Sequence, residues 1–240
     1  MHIFADLQKR EASAGPVRVA VVGTGFFGSG LIRRLATIRG LTAAVAANRT
    51  LERAVAALEA AGIERARIRV CDDPGTAQAA LDDGLSVATS RLDLPACIPT
   101  VDVVMECTGD VLVGTEVALT AIRGGKHIVA ANPETQATVG PILKRMADAA
   151  GVVYSDVDGD QPGILKNLYD YCAGLGFTPV VAGNCKGVLK RYATPETQAA
   201  FAETHGIKPW IACAAADGTK LAVEMAIVAN ATGMPPAVQG

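Results

Sequence analysis

The chain is poor in aromatic residues: one Trp, four Tyr and five Phe among 240. Half of its residues are nevertheless hydrophobic. Its core must therefore be built mainly from Ala, Val, Leu and Ile. Histidine is scarcer still, with only His2, His127 and His205. None of the six cysteines forms a C-x-x-C pair. Together these absences argue against a structural zinc site. Reduced, buried cysteines in a cytoplasmic protein are the expected reading. No apolar run reaches the roughly 18 residues of a membrane span. The first 16 residues lack the apolar core of a signal peptide and read as a short leading helix. The net charge of −2 carries no basic excess, which argues against a general nucleic-acid binder. No internal repeat or low-complexity segment stands out.

What the chain has is glycine, 25 of them, and an alternation of short apolar runs with helical patterns. Val17–Val22 is an apolar run of the kind buried on both faces of a parallel sheet. Apolar residues at 27, 31, 35 and 38 then follow a helical spacing, stopped by Gly40. Leu41–Ala47, Ala66–Cys71, Val101–Cys107, Lys126–Ala130 and Val152–Ser155 are further strand candidates. Helices are predicted after Thr50, which can cap one, and over Thr115–Arg123, Gly140–Ala150, Ile164–Leu175 and Asp217–Thr232. Thr178–Gly183 reads as another strand, and Gly187–Pro209 as loops and short pieces. The alternation predicts an α/β fold, a Rossmann-type doubly wound parallel sheet with a smaller α+β substrate and catalytic region. Residues 1–132 are the expected dinucleotide-binding domain and 133–240 the second region, with the last helix packing back on the first domain.

Between the first strand and first helix of that pattern lies Gly23-Thr24-Gly25-Phe26-Phe27-Gly28, a G-x-G-x-x-G. In a dinucleotide turn the first glycine permits the tight turn. The second lets the backbone approach a pyrophosphate, and the third lets helix and strand pack closely. An acidic residue about 20 positions on would hydrogen-bond the ribose of NAD. That position holds Asn48, followed by Arg49 and Thr50. A neutral amide beside a guanidinium suits a 2′-phosphate, so NADP is expected over NAD. Cys107, Thr108 and Gly109 end a strand at the sheet's carboxyl edge, where they would line the crevice beside the nicotinamide ribose. Asn132 ends the next strand and is a further cofactor candidate.

The stretches "VRVAVVGTGFFGSGLIRRL", "VDVVMECTGD" and "GGKHIVAANPETQATVGP" resemble the homoserine dehydrogenase-like oxidoreductases. With "GDQPGIL" and "DGTKLAVEMAIVANATGMPP" they are similar to the SAF-domain branch, which includes enzymes resembling 1-deoxy-D-xylulose 5-phosphate reductoisomerase. The branch's SAF domain would begin after about residue 240, so the chain is expected to be a shortened relative or a fragment. Pro133 stands where homoserine dehydrogenases carry a Lys after the Asn, and Asp217 and Lys220 are three apart where they have four. The resemblance implies an oxidoreductase in which Lys220 serves as acid–base or electrostatic catalyst, supported by Asp217 and Glu134. The residues alone leave Asp217 equally able to cap the last helix, with Lys220 its solvated neighbour.

Glu134, Asp156, Asp158 and Asp160 could bind Mg²⁺ or Mn²⁺, as a sugar-phosphate reductoisomerase would need, with Glu134, Asp158 and Asp160 the foremost metal candidates. A hydrated acidic turn fits the same residues. Asp160, Gln161, Lys186 and Lys190 are candidates for holding a small anionic substrate. A non-catalytic dinucleotide-binding module is the remaining alternative. The expected setting is a cytoplasmic homo-oligomer with a small-molecule partner.

Overall fold

A parallel strand with helices on both sides must be apolar throughout, and the runs of Val and Ala meet that demand. The computed structural model of the protein describes residues 3–185 and 187–236. Its strands are β1 Val17–Val22, β2 Leu41–Ala47, β3 Ile68–Val70, β4 Ser86–Thr89, β5 Val103–Glu106, β6 His127–Ala130 and β7 Tyr154–Asp156. They form a seven-stranded sheet in the order β3-β4-β2-β1-β5-β6-β7. The registers joining β1 through β6 are parallel. The helices are α1 Ile3–Ala14, α2 Phe26–Leu35, α3 Leu51–Glu59, α4 Pro74–Asp82, α5 Leu94–Cys97, α6 Val111–Arg123, α7 Pro133–Ala149, α8 Gln161–Gly174, α9 Ala199–Thr204, α10 Pro209–Asp217 and α11 Thr219–Thr232. The architecture is the α/β, Rossmann-like one that the alternation predicts. None of the helices is long and apolar enough to cross a membrane, among the described residues.

The order of the strands positions the site. From β1 the chain builds one wing of the sheet, then returns to β5 on the other side of β1. A doubly wound sheet opens a crevice where its winding reverses, at the carboxyl ends of β1 and β5. Ala20, Val21 and Val22 of β1, like Ala46 and Ala47 of β2, have no solvent exposure. The small alanines keep the layers close, and larger side chains such as Ile32 and Leu58 fill the space between sheet and helix. Burying each of these contributes about 1.5–3 kcal/mol.

The chain divides into two units. One takes in the residues up to Thr135 together with Ile142–Ser155; the other takes in Gln136–Pro141 and the residues from Asp156 onward. In the second unit α11 packs against α8 and α10. Two sequence expectations differ from the structure there. The final helix is not continuous from Asp217: Gly218 adopts φ +95°, a left-handed conformation that ends α10 and begins α11. Thr178–Gly183 is not a strand, because β-prone sequence needs a neighbouring edge and none of the described residues pairs with it.

Candidate functional site

The glycine turn is built by three different steric demands. Gly23 has φ +94°, and a Cβ there would lie 2.6 Å from the carbonyl oxygen of Cys107, so it lets β1 and β5 end side by side. A Cβ on Gly28 would lie 1.9 Å from the carbonyl oxygen of Gly23, so only glycine lets α2 start this close to the strand. Around Gly25 there is nothing within 4 Å. Gly25 is the N-cap of α2 and offers no side-chain cap, which leaves the first N–H groups of the helix available to an anion. Thr24 is buried and its Oγ1 has no hydrogen-bond partner among the described residues. Phe26 and Phe27 open the helix with exposed rings. An open, uncapped helix start behind a close-packed turn fits a dinucleotide pyrophosphate.

The end of β2 supplies the next part. The N–H of Asn48 donates to the Thr89 carbonyl (3.1 Å), and its Oδ1 accepts from the N–H of Thr50 (2.9 Å). Asn48 therefore shapes the turn into α3. Thr50 occupies the N-cap position, but its side chain makes no capping bond, contrary to the sequence expectation. Arg49 is exposed and makes no ion pair among the described residues. It lines a cavity of about 460 Å³ with Leu92, Val113, Glu116, Val117 and Arg123. The guanidinium groups of Arg49 and Arg123 share this cavity with the carboxylates of Asp93 and Glu116 and with apolar walls from Leu92, Val113, Val117 and Leu119.

At the end of β5 the sequence reading missed the central residue. Glu106 is 1% exposed, and its Oε1 accepts from both the N–H (2.7 Å) and the hydroxyl of Thr108. Burial pushes its carboxyl above the ordinary carboxylate range, against the lowering effect of the Thr108 bonds and the nearby Asn132 amide. Oε2 has no hydrogen-bond partner of its own among the described residues. Glu106 thus fixes the course of Cys107, Thr108 and Gly109. A carboxylate inside an otherwise apolar strand was the available signal. Burial also pushes the Cys107 thiol above its ordinary value, as in a packed rather than a reactive cysteine.

Asn132 is fully buried. Its Oδ1 accepts from the N–H of Thr135 (3.2 Å) and its Nδ2 donates to the Asp110 carbonyl (3.2 Å). It caps α7 and ties that helix to the segment after β5, so it shapes the crevice from behind. Glu134 follows in the first turn of α7 and is half-buried.

In the second unit, Asp217 and Lys220 do not share a helix. Asp217 ends α10, where its Oδ1 accepts from the N–H of Thr219 (2.8 Å). That bond holds its carboxyl below the usual range. Lys220, half-buried, stands in the first turn of α11. One turn on, Glu224 is completely buried and accepts from Asn184 Nδ2 (2.9 Å). Its signal was visible too: it lies on the same helical face as Leu221, Met225 and Val228. Lys190 lines a cavity of about 360 Å³ with Arg191, Tyr192, Thr197 and the buried Gln198. Lys190 and Arg191, both read from the sequence as suited to an anionic group, thus line one cavity. Lys186 lies outside the described residues.

The acidic turn is occupied with its own architecture. Asp160 caps α8, its Oδ1 accepting from the N–H of Gln161 (3.0 Å), and Asp158 accepts from Asn167 (3.3 Å). Asp156 accepts from Gln136 Nε2 (2.9 Å), and burial raises its carboxyl. Among the described residues no three His, Cys, Asp or Glu side chains are grouped to hold a metal ion.

No curated protein matches the sequence. The 1-deoxy-D-xylulose 5-phosphate reductoisomerase from Zymomonas mobilis, solved with NADPH, is 20% identical with a TM-score of 0.56; the match covers 92% of this chain and 59% of that one. A homoserine dehydrogenase from Thiobacillus denitrificans is 24% identical with a TM-score of 0.45, over 66% of this chain and 34% of that one. GenD2 from gentamicin A biosynthesis, solved with NAD, is 20% identical with a TM-score of 0.45, over 66% and 40%. The chain thus spans only about a third of the homoserine dehydrogenase's length. Its fold is similar to that of the reductoisomerase, and residues 159–240 match the family model of oxidoreductase DRL, catalytic domain.

Proposed function

We propose that the protein is an NADP-dependent oxidoreductase acting on a small anionic carbonyl or hydroxy compound. The observation that carries the reading is the contrast within the glycine turn. Gly23 and Gly28 have no room for a side chain, while Gly25 faces open space at an uncapped helix start. That is the shape a pyrophosphate needs. The match of residues 159–240 to an oxidoreductase catalytic domain supports the same reading.

In this reading the N–H groups at the start of α2 hold the pyrophosphate, and Thr24 Oγ1 gains the partner it lacks. Phe26 and Phe27 screen the turn from water. The adenosine is held at the Arg49–Val117 cavity, where Arg49 neutralises the 2′-phosphate. Thr108 and Gly109, fixed by Glu106, line the nicotinamide side. NADPH held there would supply a hydride for the substrate's carbonyl carbon. Lys220 gives a proton to the carbonyl oxygen as that charge develops, and the resulting neutral amine regains its proton from water. The products are an alcohol and NADP⁺. Lys190 and Arg191 hold the substrate's anionic group, with Asp160 and Gln161 at the turn before α8. Asp217 fixes the entry into α11 and so the place of Lys220. The setting expected for such an enzyme is the cytoplasm.

The test is NADPH oxidation, read by loss of its fluorescence, over a panel of phosphorylated and carboxylated aldehydes and ketones. Turnover of an anionic carbonyl compound but not of its neutral analogue supports the proposal. Tight NADPH binding without turnover of any panel member would favour a dinucleotide-binding module.

A further inference from the structure

Behind Thr108 and Gly109 lies a buried polar cluster. Glu106 comes to it from β5, Asn132 and Thr135 from the start of α7, and Gly114 of α6 closes it. A Cβ on Gly114 would lie 2.6 Å from Thr135 Oγ1, 2.7 Å from Asn132 Nδ2 and 2.9 Å from Glu106 Oε2. Glycine therefore leaves room for three polar atoms to converge on one point of α6. Two of them are already committed: Thr135 Oγ1 and Asn132 Nδ2 both donate to the Asp110 carbonyl, at 3.4 and 3.2 Å. The Thr135 hydroxyl, its hydrogen so used, still has lone pairs with which to accept. Glu106 Oε2 is buried and has no hydrogen-bond partner among the described residues. A proton on Oε2 would give the cluster the donor it lacks. Without that proton a buried charge stands there unpaired.

The elements packed around the carboxyl bring no compensating cation. β1 and β6 set Val22 and Ala130 in register with Glu106. On α6, Asp110 and Glu116 are exposed, and Asp110 Oδ1 accepts from the N–H of Val113 (3.0 Å). Burial raises the Glu106 carboxyl, the Thr108 and Asn132 groups lower it, and the charge of Glu134 on α7, of like sign, raises it. The adjacent Cys107 thiol is likewise pushed up by burial.

We infer that Glu106 selects between the oxidised and the reduced cofactor by releasing or keeping one proton. The inference rests on the proposed placement of the nicotinamide beside Thr108 and Gly109, the segment that Glu106 holds through the Thr108 N–H and hydroxyl. The oxidised nicotinamide ring is a cation and the reduced ring is neutral. An ionised Glu106 behind that segment attracts the cation, and a neutral Glu106 does not. Binding of NADP⁺ therefore drives the Oε2 proton to solvent, whereas binding of NADPH leaves it in place. Ionised Glu106 becomes commoner as pH rises through its raised folded-state value, so the affinity for NADP⁺ relative to NADPH rises with it. The pyrophosphate and the 2′-phosphate are common to both forms, so their own titration cancels from that ratio.

Calorimetric titration of the full chain with NADP⁺ and with NADPH, from about pH 6 to about pH 9, tests the inference. In the wild type the affinity ratio of NADP⁺ to NADPH should climb by about tenfold or more across that range, as one nearby buried charge implies. Glu106→Gln keeps the shape and an oxygen for Thr108 but cannot ionise, so its ratio should stay flat, near the wild-type value at the acid end. Glu134→Gln removes the like charge and should move the climb to lower pH. Repeating the wild-type titrations in two buffers of different ionisation enthalpy counts protons. Where the ratio is climbing, NADP⁺ should release a fraction of a proton and NADPH none. That count decides the matter even if Glu106→Gln fails to fold. A wild-type ratio that does not change with pH overturns the inference while leaving the cofactor reading intact. So does a climb that persists in Glu106→Gln. Failure of the wild type to bind either nucleotide refutes the cofactor reading, and this inference with it.

Discussion

Alanine at Gly28 and alanine at Gly25 should have opposite consequences, although the two residues are three apart in one turn. At Gly28 the new Cβ begins 1.9 Å from the Gly23 carbonyl oxygen, and the contact must open by about 1 Å or more. The atom met is backbone, which cannot swing aside as a side chain can. Overpacking of this kind costs about 1–3 kcal/mol, and the better helix propensity of Ala returns up to about 1 kcal/mol. A net loss of about 1–2 kcal/mol lowers Tm by roughly 2–8 °C in a chain of this size. At Gly25 the Cβ meets nothing within 4 Å, and the backbone at φ −73° is open to Ala. Stability should change by less than about 0.5 kcal/mol. The methyl group would occupy the space assigned to the pyrophosphate. Loss of charge-assisted bonds there, about 1.5–3 kcal/mol, weakens NADPH binding by about 10- to 150-fold. Thermal unfolding and NADPH titration of both variants separate the two effects. A Gly28→Ala protein of wild-type stability would refute the steric argument. A Gly25→Ala protein that binds NADPH normally would refute the cradle.

Three further perturbations probe other parts of the account. Arg49→Ala should weaken NADPH about tenfold and leave NADH within about twofold, by fluorescence titration, since one charge-assisted phosphate contact is removed. Lys220→Ala should lower kcat about 100-fold or more while NADPH affinity holds, as loss of a general acid does; retained kcat removes Lys220 from the reaction. Glu106→Gln should gain stability over the wild type as pH rises. Burial raises the folded-state carboxyl, so below the ordinary carboxylate value both states are protonated and no advantage appears. Above it the unfolded chain ionises first, which drains wild-type stability until the folded-state group ionises too. Denaturant unfolding at pH 4 and at pH 7 to 8 reads the difference, and a gap that does not widen with pH contradicts the assignment.

The sheet was legible because its signal is local. Val17–Val22 and Leu41–Ala47 are apolar at every position a buried parallel strand needs, and each is followed by a helical spacing. The glycine turn was legible because its demands are steric and fall on three fixed positions. The break at Gly218 was not, because the apolar spacing of α11 runs smoothly back into an alanine-rich segment. One left-handed residue and the capping bond from Asp217 decide it. Thr178–Gly183 has the composition of a strand, yet a strand exists only beside another edge. Glu106 and Glu224 passed unnoticed for one shared reason: acidic residues are read as surface unless their neighbours' periodicity is followed through them.

The central claim is that the turn at Gly23–Gly28 and the Asn48–Arg49 corner hold NADP. Titration of the wild-type chain with NADPH and with NADH, read by nicotinamide fluorescence, tests it directly. The account predicts saturable binding of both, with NADPH tighter by about tenfold or more, as expected of one neutralised phosphate. Preference for NADH would contradict the assignment of Arg49, and failure to bind either would contradict the site.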